Sequence, residues 1–137
     1  MRGFFRFNSV SIPDGATITS AKLQFKSNET LSGSCSLIVH FEDADDPIAP
    51  TSVSDNVGRA LTSGISWNSV ASWTNGTWYD SPELKTILQA VIDRAGYVEN
   101  KAITAHVLDN GGTDLRNIRA YDSAAEDAAK LIVTYTT

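Results

Sequence analysis

The residues best suited to chemistry in this chain lie together near its middle, where Trp73, Asn75, Gly76, Trp78, Tyr79 and Asp80 follow one another closely. Aromatic faces stack on the apolar C–H faces of sugar rings, and neighbouring amides and carboxylates hold the hydroxyls. Trp78 and Tyr79, with Asn75 and Asp80 as hydrogen-bonding partners, therefore form a candidate glycan site. Trp67, Trp73 and Tyr97 could serve the same purpose, but Trp67 alternates with Ile65 in a strand pattern and reads as core. For Trp78 and Tyr79 the sequence leaves stacking platform and core packing equally open.

The densest carboxylate cluster is Glu42, Asp43, Asp45 and Asp46. Oxygen-rich loops of β-sandwich modules can hold a structural Ca²⁺, which makes Asp43, Asp45 and Asp46 the candidate ligands. The alternating acidic pattern of an EF-hand is missing and Pro47 restricts how the backbone could wrap an ion, so a solvated acidic loop without a cofactor is expected. Glu42 ends a strand pattern, where an ion pair with Arg59 or Arg119 is the natural structural role. Arg119, Tyr121 and Asp122 combine a guanidinium, a ring and an acceptor that would suit a saccharide; a brace between arginine and carboxylate near the last strand is the favoured reading. Cys35 is the lone cysteine and opens the alternation Cys35, Leu37, Val39, Phe41, the place of a buried small hydrophobe. His40 and His106 fall in different strands with no histidine or cysteine at ligand spacing. With no Ser/His/Asp set and no glycine-rich phosphate loop, a non-catalytic role is expected.

These side chains must be positioned by strands. In Thr19 to Lys26, Ala21, Leu23 and Phe25 occupy one face and Ser20, Lys22, Gln24 and Lys26 the other, the period of two of a sheet with one wet side. Strand patterns also cover 2–10, 35–42, 101–109, 118–121 and 130–136, with weaker pieces in 57–67 and around an Asn75-Gly76 turn in 70–79. The second and third strands, 17–27 and 35–42, are expected to pair as a hairpin, and 43–56 to run over the surface as an irregular loop. One helix is expected over about 82–95. Ser81 would cap it, Pro82 suits its first turn, Leu84, Ile87, Leu88, Val91 and Ile92 form its apolar face, and Gly96 would end it in a left-handed conformation. Its opposite face, with Lys85, Gln89 and Asp93, is expected to tolerate change. The pattern defines an all-β, antiparallel jelly-roll-type β-sandwich with one inserted amphipathic helix.

A length of 137 residues with 42% hydrophobic content supports one module spanning 1–137. A net charge of −5 with singly scattered basic residues opposes nucleic acid as a partner. No apolar run approaches the roughly 18 residues of a membrane span, so no membrane insertion is expected. The opening Met1-Arg2-Gly3-Phe4-Phe5-Arg6 is too short and too charged for a signal peptide.

Several segments, in order and spacing, resemble the disaggregatase-related β-sandwich domains, often called DNRLRE domains, and related carbohydrate-binding-module-like repeats. They are Arg6-Phe7, Ile12-Pro13-Asp14-Gly15-Ala16-Thr17-Ile18-Thr19-Ser20-Ala21, the strand ending at Glu42, Arg59 to Thr62 before Ile65-Ser66-Trp67, Ser81-Pro82-Glu83-Leu84, Arg94-Ala95-Gly96-Tyr97, Asn100-Lys101-Ala102, Arg119-Ala120-Tyr121-Asp122, and Lys130 to Tyr135. The resemblance implies a non-catalytic extracellular or cell-surface module for carbohydrate binding or adhesion, appended to larger proteins, with a polysaccharide, a neighbouring domain or copies of itself as partners. It also implies that Trp73 holds a position where relatives carry an aromatic, and that a strand preceding Arg6-Phe7 is lacking, which would leave an uncovered edge. The competing expectation is a structural assembly component of a virion, fibre or surface layer.

Overall fold

The computed structural model describes residues 2–120 and 124–137. Seven strands form it: β1 (Arg2–Val10), β2 (Thr17–Lys26), β3 (Cys35–Phe41), β4 (Ile65–Trp67), β5 (Trp78–Asp80), β6 (Lys101–Gly112) and β7 (Lys130–Thr136). They make two antiparallel sheets, a larger one in the order β1-β6-β3-β4 and a smaller one in the order β5-β2-β7. Only the step from β3 to β4 stays within a sheet; every other connection crosses between the two, as in a jelly roll. The all-β sandwich expected from the alternation is the architecture found.

Ala21, Leu23 and Phe25 of β2 face Leu37, Val39 and Phe41 of β3 and Ile103 and Ala105 of β6, and all are buried. These contacts run across the sheet interface, so the expected β2–β3 hairpin is not formed. The residues 28–34 carry the chain from one sheet to the other, a distance of about 10 Å, and β2 pairs instead with β5 and β7. Alternation says which side chains point inward, and both sheets obey it equally.

The inserted helix is shorter than the sequence suggests. It runs Lys85–Ile92 (α2, which follows a shorter helix α1 at Val53–Val57) and buries Ile87, Leu88, Val91 and Ile92. Ser81 does not cap it: its hydroxyl accepts from Leu23 N at 2.9 Å and donates to the Pro82 carbonyl. The cap is Glu83, whose carboxylate accepts from Leu84 N and Lys85 N and also from Ala21 N and the Ser20 hydroxyl. Gly96 does not end the helix either, because the helix stops at Asp93 with right-handed backbone. A Cβ at 96 would lie 2.1 Å from Asp45 Oδ2, so a side chain there would displace the carboxylate that pairs with Arg94.

Ser81, Glu83 and Gln89 together replace a missing strand beside the first half of β2. Gln89 accepts from Ile18 N at 2.7 Å and donates to the Ala16 carbonyl at 3.0 Å. Position 89 is therefore not on a tolerant face, and the expectation of tolerance is corrected there. Burial pushes the Glu83 carboxyl up, but the hydrogen bonds from Ala21, Ser20, Leu84 and Lys85 outweigh it and hold it below the usual range. A carboxylate with a lowered folded pKa stabilises above its unfolded value, near pH 4, and loses that contribution as pH falls through the folded value. The urea midpoint of the wild type should thus exceed that of Glu83→Gln at pH 7, and the two should converge as the carboxyl protonates. Parallel pH profiles would show that the carboxylate charge at 83 has no part in stability.

The segment after β3 is more ordered than an irregular loop. It ends in the short helix α1 (Val53–Val57), capped by Ser52, which accepts from Asp55 N. On the way it covers the outer face of the larger sheet: Arg6 donates to the Pro47 carbonyl and Ala102 N donates to Asp46. This explains why β6 is buried on both faces from Ala102 to Val107. Of the weak strand pieces in 57–67 only β4 forms, and of the expected strand 118–121 the described residues 118–120 contribute a single bridge, Ser27 to Ile118, while Tyr121 lies outside the described residues. Asn110-Gly111-Gly112 belongs to β6, where Gly111 and Gly112 have φ of 108° and 91°.

Candidate functional site

The smaller sheet has one face in the core and one in solvent, and the register assigns every side chain to one of them. Tyr79 lies opposite Phe25, which is buried, and Trp78 lies opposite Lys26. The candidate pair is thereby split. Tyr79 points inward, its ring stacked on Trp73 at 4.9 Å with an interplanar angle of 2°, and its hydroxyl accepts from Thr74 N. It ends an aromatic series, Phe5, Phe25, Trp67, Trp73, Tyr79, that ties the two sheets together. Trp67 and Trp73 are buried there, the first as its alternation with Ile65 suggested, and Tyr97 is buried with its hydroxyl donating to the Ile12 carbonyl at 2.6 Å.

Trp78 points outward and is half-buried by cations. Lys130 Nζ lies 4.3 Å from its ring centroid and Lys26 Nζ 6.0 Å, distances at which ammonium groups are attracted by an indole face. Around it, cross-strand pairing places Asp80, Gln24 and Lys130 in one row and Lys22 and Ile132 in another. Asn75 stands at the edge of the same face, in a turn closed by Thr77 N donating to the Thr74 carbonyl. Gly76 occupies the position of that turn that requires a positive φ, here 81°. The structure thus gathers Trp78, Asn75 and Asp80 on one side and removes Tyr79 from the set.

The sequence missed the partners supplied by β7 and the turn before it. Asp127, buried at the end of the 3-10 turn Ala125–Asp127, accepts from Lys26 at 2.8 Å and from Arg119 at 3.0 Å. These hydrogen bonds, Lys26 first, hold its carboxyl below the usual range. Arg119 also donates to Asn75 at 3.3 Å. The expected arginine brace near the last strand exists, with Asp127 as its acceptor; Tyr121 and Asp122 lie outside the described residues. The only signal available in the sequence was an acidic pair, Glu126-Asp127, just ahead of β7. Four cations, Lys22, Lys26, Lys130 and Arg119, consequently share one face of a chain whose net charge is −5.

The other candidates are held in structural contacts. Asp43 and Asp45 both pair with Arg94, the second at 2.7 Å, and Asp46 accepts from Ala102 N. Among the described residues no group of three or more His, Cys, Asp or Glu side chains is arranged to hold a metal ion. Glu42 pairs with Arg59 at 3.0 Å, one of its two expected partners, and its other oxygen accepts from His106 Nε2 at 2.9 Å. His40 and His106 prove to be direct cross-strand neighbours, with His40 Nδ1 at 2.8 Å from the Thr62 carbonyl. Cys35 is buried, which pushes its thiol pKa up.

The fold and this face define an all-β sandwich with an aromatic and cationic platform on the outer side of its smaller sheet. No family model matches the chain, and no curated protein matches it in sequence.

Proposed function

We propose that the protein is a non-catalytic carbohydrate-binding or adhesion module of an extracellular or cell-surface protein, and that its ligand is an acidic glycan lying across Trp78. The observation that carries this reading is the outward placement of Trp78 among Lys26, Lys130 and the Arg119–Asp127–Asn75 network. A sugar ring stacks on the indole, its carboxylate or sulfate meets the ammonium groups, and Asn75, Gln24 and Asp80 are at hand for hydroxyls. The sequence resemblance to DNRLRE-type domains supports the same class.

Glycan-array screening followed by calorimetry tests it. Trp78→Ala should weaken binding at least tenfold while changing the unfolding free energy by about 1 kcal/mol or less, the scale of an exposed cation–π contact. Failure of the wild type to bind any acidic or neutral polysaccharide at millimolar ligand would overturn the proposal. A large loss of stability in Trp78→Ala without a change in binding would return Trp78 to a packing role.

A second reading, as a component of a virion, fibre or surface layer, has one observation in its favour. Among the described residues β1 pairs only with β6 and β7 only with β2, and a groove lined by Phe7, Val10, Leu131, Val133 and Tyr135 runs between these two edges. Unpaired strand edges accept strands from other chains. Light scattering at high concentration separates the readings: a strictly monomeric protein argues against assembly.

A further inference from the structure

A second space, separate from the outer face, lies between the two sheets. It measures about 210 Å³ and is walled by Phe5, Phe25, Trp67 and Trp73 together with Gly3 and Arg116. Its size invites comparison with apolar protein cavities of about 150 Å³ that take up benzene. A purely apolar pocket would take an apolar guest, but this one has a charged wall.

Arg116 is 5% exposed, and its guanidinium donates to the carbonyls of Gly33, Val70, Ala71 and Leu115. Among the described residues those bonds use four of the five N–H donors of an arginine and leave one on Nη1. Among the described residues no carboxylate pairs with this buried guanidinium. A buried cation stabilised by carbonyl dipoles alone remains costly and attracts an anion. Independently, Trp73 is 2% exposed and its indole N–H has no hydrogen-bond partner among the described residues. Two buried lining residues thus carry donors with no partner among the described residues, and one of them carries charge.

Residue 3 brings no side chain to the lining. A Cβ at Gly3 would meet only the Phe5 ring, at 3.4 Å, so the space beside it is vacant and any larger residue would grow into it.

We propose that this cavity is a binding site for a small aromatic carboxylate, a single ring packed among Phe5, Phe25, Trp67 and Trp73 with its carboxylate on Arg116. The ring gains the edge and face contacts of the aromatic wall, and the carboxylate supplies a counter-charge to the guanidinium. The site is independent of the glycan platform, since Trp78 lies on the opposite face of the sheet that contributes Phe25.

The test is a titration of the full chain with phenylacetate and with its neutral counterpart phenylacetamide, read by tryptophan fluorescence and calorimetry. Phenylacetate should bind saturably, at least tenfold tighter than the amide. Gly3→Leu should abolish the binding by filling the cavity while keeping a cooperative unfolding transition, and Trp78→Ala should leave it unchanged. Arg116→Met should remove the preference for the anion; should that variant fail to fold, Gly3→Leu and the comparison of acid with amide still decide. Absence of saturable binding up to about 10 mM, equal affinity for acid and amide, or unchanged binding in Gly3→Leu would each overturn the proposal. Loss of glycan binding alone would not, because that concerns the other face.

Discussion

Glu42→Ala is expected to lower the unfolding free energy by about 3–5 kcal/mol, the cost of removing one partner from a buried charge network. Glu42 is 3% exposed and lies at the end of β3 beneath the segment that covers the larger sheet. One oxygen meets Arg59 and the other His106, which has no exposed surface. A carboxylate only accepts hydrogen bonds, so the proton on His106 Nε2 points at Glu42, and truncation strands that donor in a site water cannot reach. Arg59 keeps Asp55, at 2.8 Å, and so loses less. Glu42→Gln, which retains an acceptor, should cost clearly less than the alanine variant. Chemical denaturation of the three proteins measures this, and a Glu42→Ala variant within about 0.5 kcal/mol of wild type would mean that the network holds nothing in place.

Leu88→Ala is expected to cost about 2–5 kcal/mol through lost burial and the cavity left behind. Leu88 is fully buried, at the centre of the α2 face that also presents Ile87, Val91 and Ile92 to the core. Its neighbour supplies an informative control. Gln89→Ala should cost about 1–3 kcal/mol, because Ile18 N and the Ala16 carbonyl lose their partner at the edge of β2. Lys85, exposed on the first turn, should change stability by no more than about 0.5 kcal/mol when replaced by Ala. The ranking Leu88, Gln89, Lys85 separates a buried face, a strand substitute and a solvent face on one helix. Equal effects at 88 and 85 would contradict the packing described.

The strongest structural effects therefore fall on residues that the sequence reads with very different clarity. Leu88 is legible from spacing alone, since apolar residues recurring every three or four positions can only be a helix face seeking a core. Gln89 is not, because its role is to complete hydrogen bonds of a strand about seventy residues away; no local pattern marks a polar side chain as a backbone partner. Glu42 lies between these cases. Its place at a strand end suggested an arginine, and Arg59 is that arginine, but His106 joined it only through the β3–β6 register.

The candidate glycan site shows the same division. Adjacent residues in a strand face opposite ways, so Trp78 and Tyr79 could never both line one surface once β5 formed; what the sequence left open was which of them faced the solvent. That depended on pairing with β2, where Phe25 took Tyr79 inward and Lys26 kept Trp78 outside. Lys130, Arg119 and Asp127 entered the site by the return of the chain in β7, a contact made across about a hundred residues.

By itself, then, the sequence determined the longer strands, their inward and outward faces and the apolar stripe of the helix, because periodicity is a local property that survives without knowledge of neighbours. Only the tertiary structure decided which strands share a sheet, which side chains stand in for absent strand partners, that two lysines flank one outward-facing, half-buried tryptophan, and that a glycine and a buried arginine line one cavity. Each of these arises where segments distant along the chain are brought together, and the free energy that selects among their pairings belongs to the packed whole rather than to any segment.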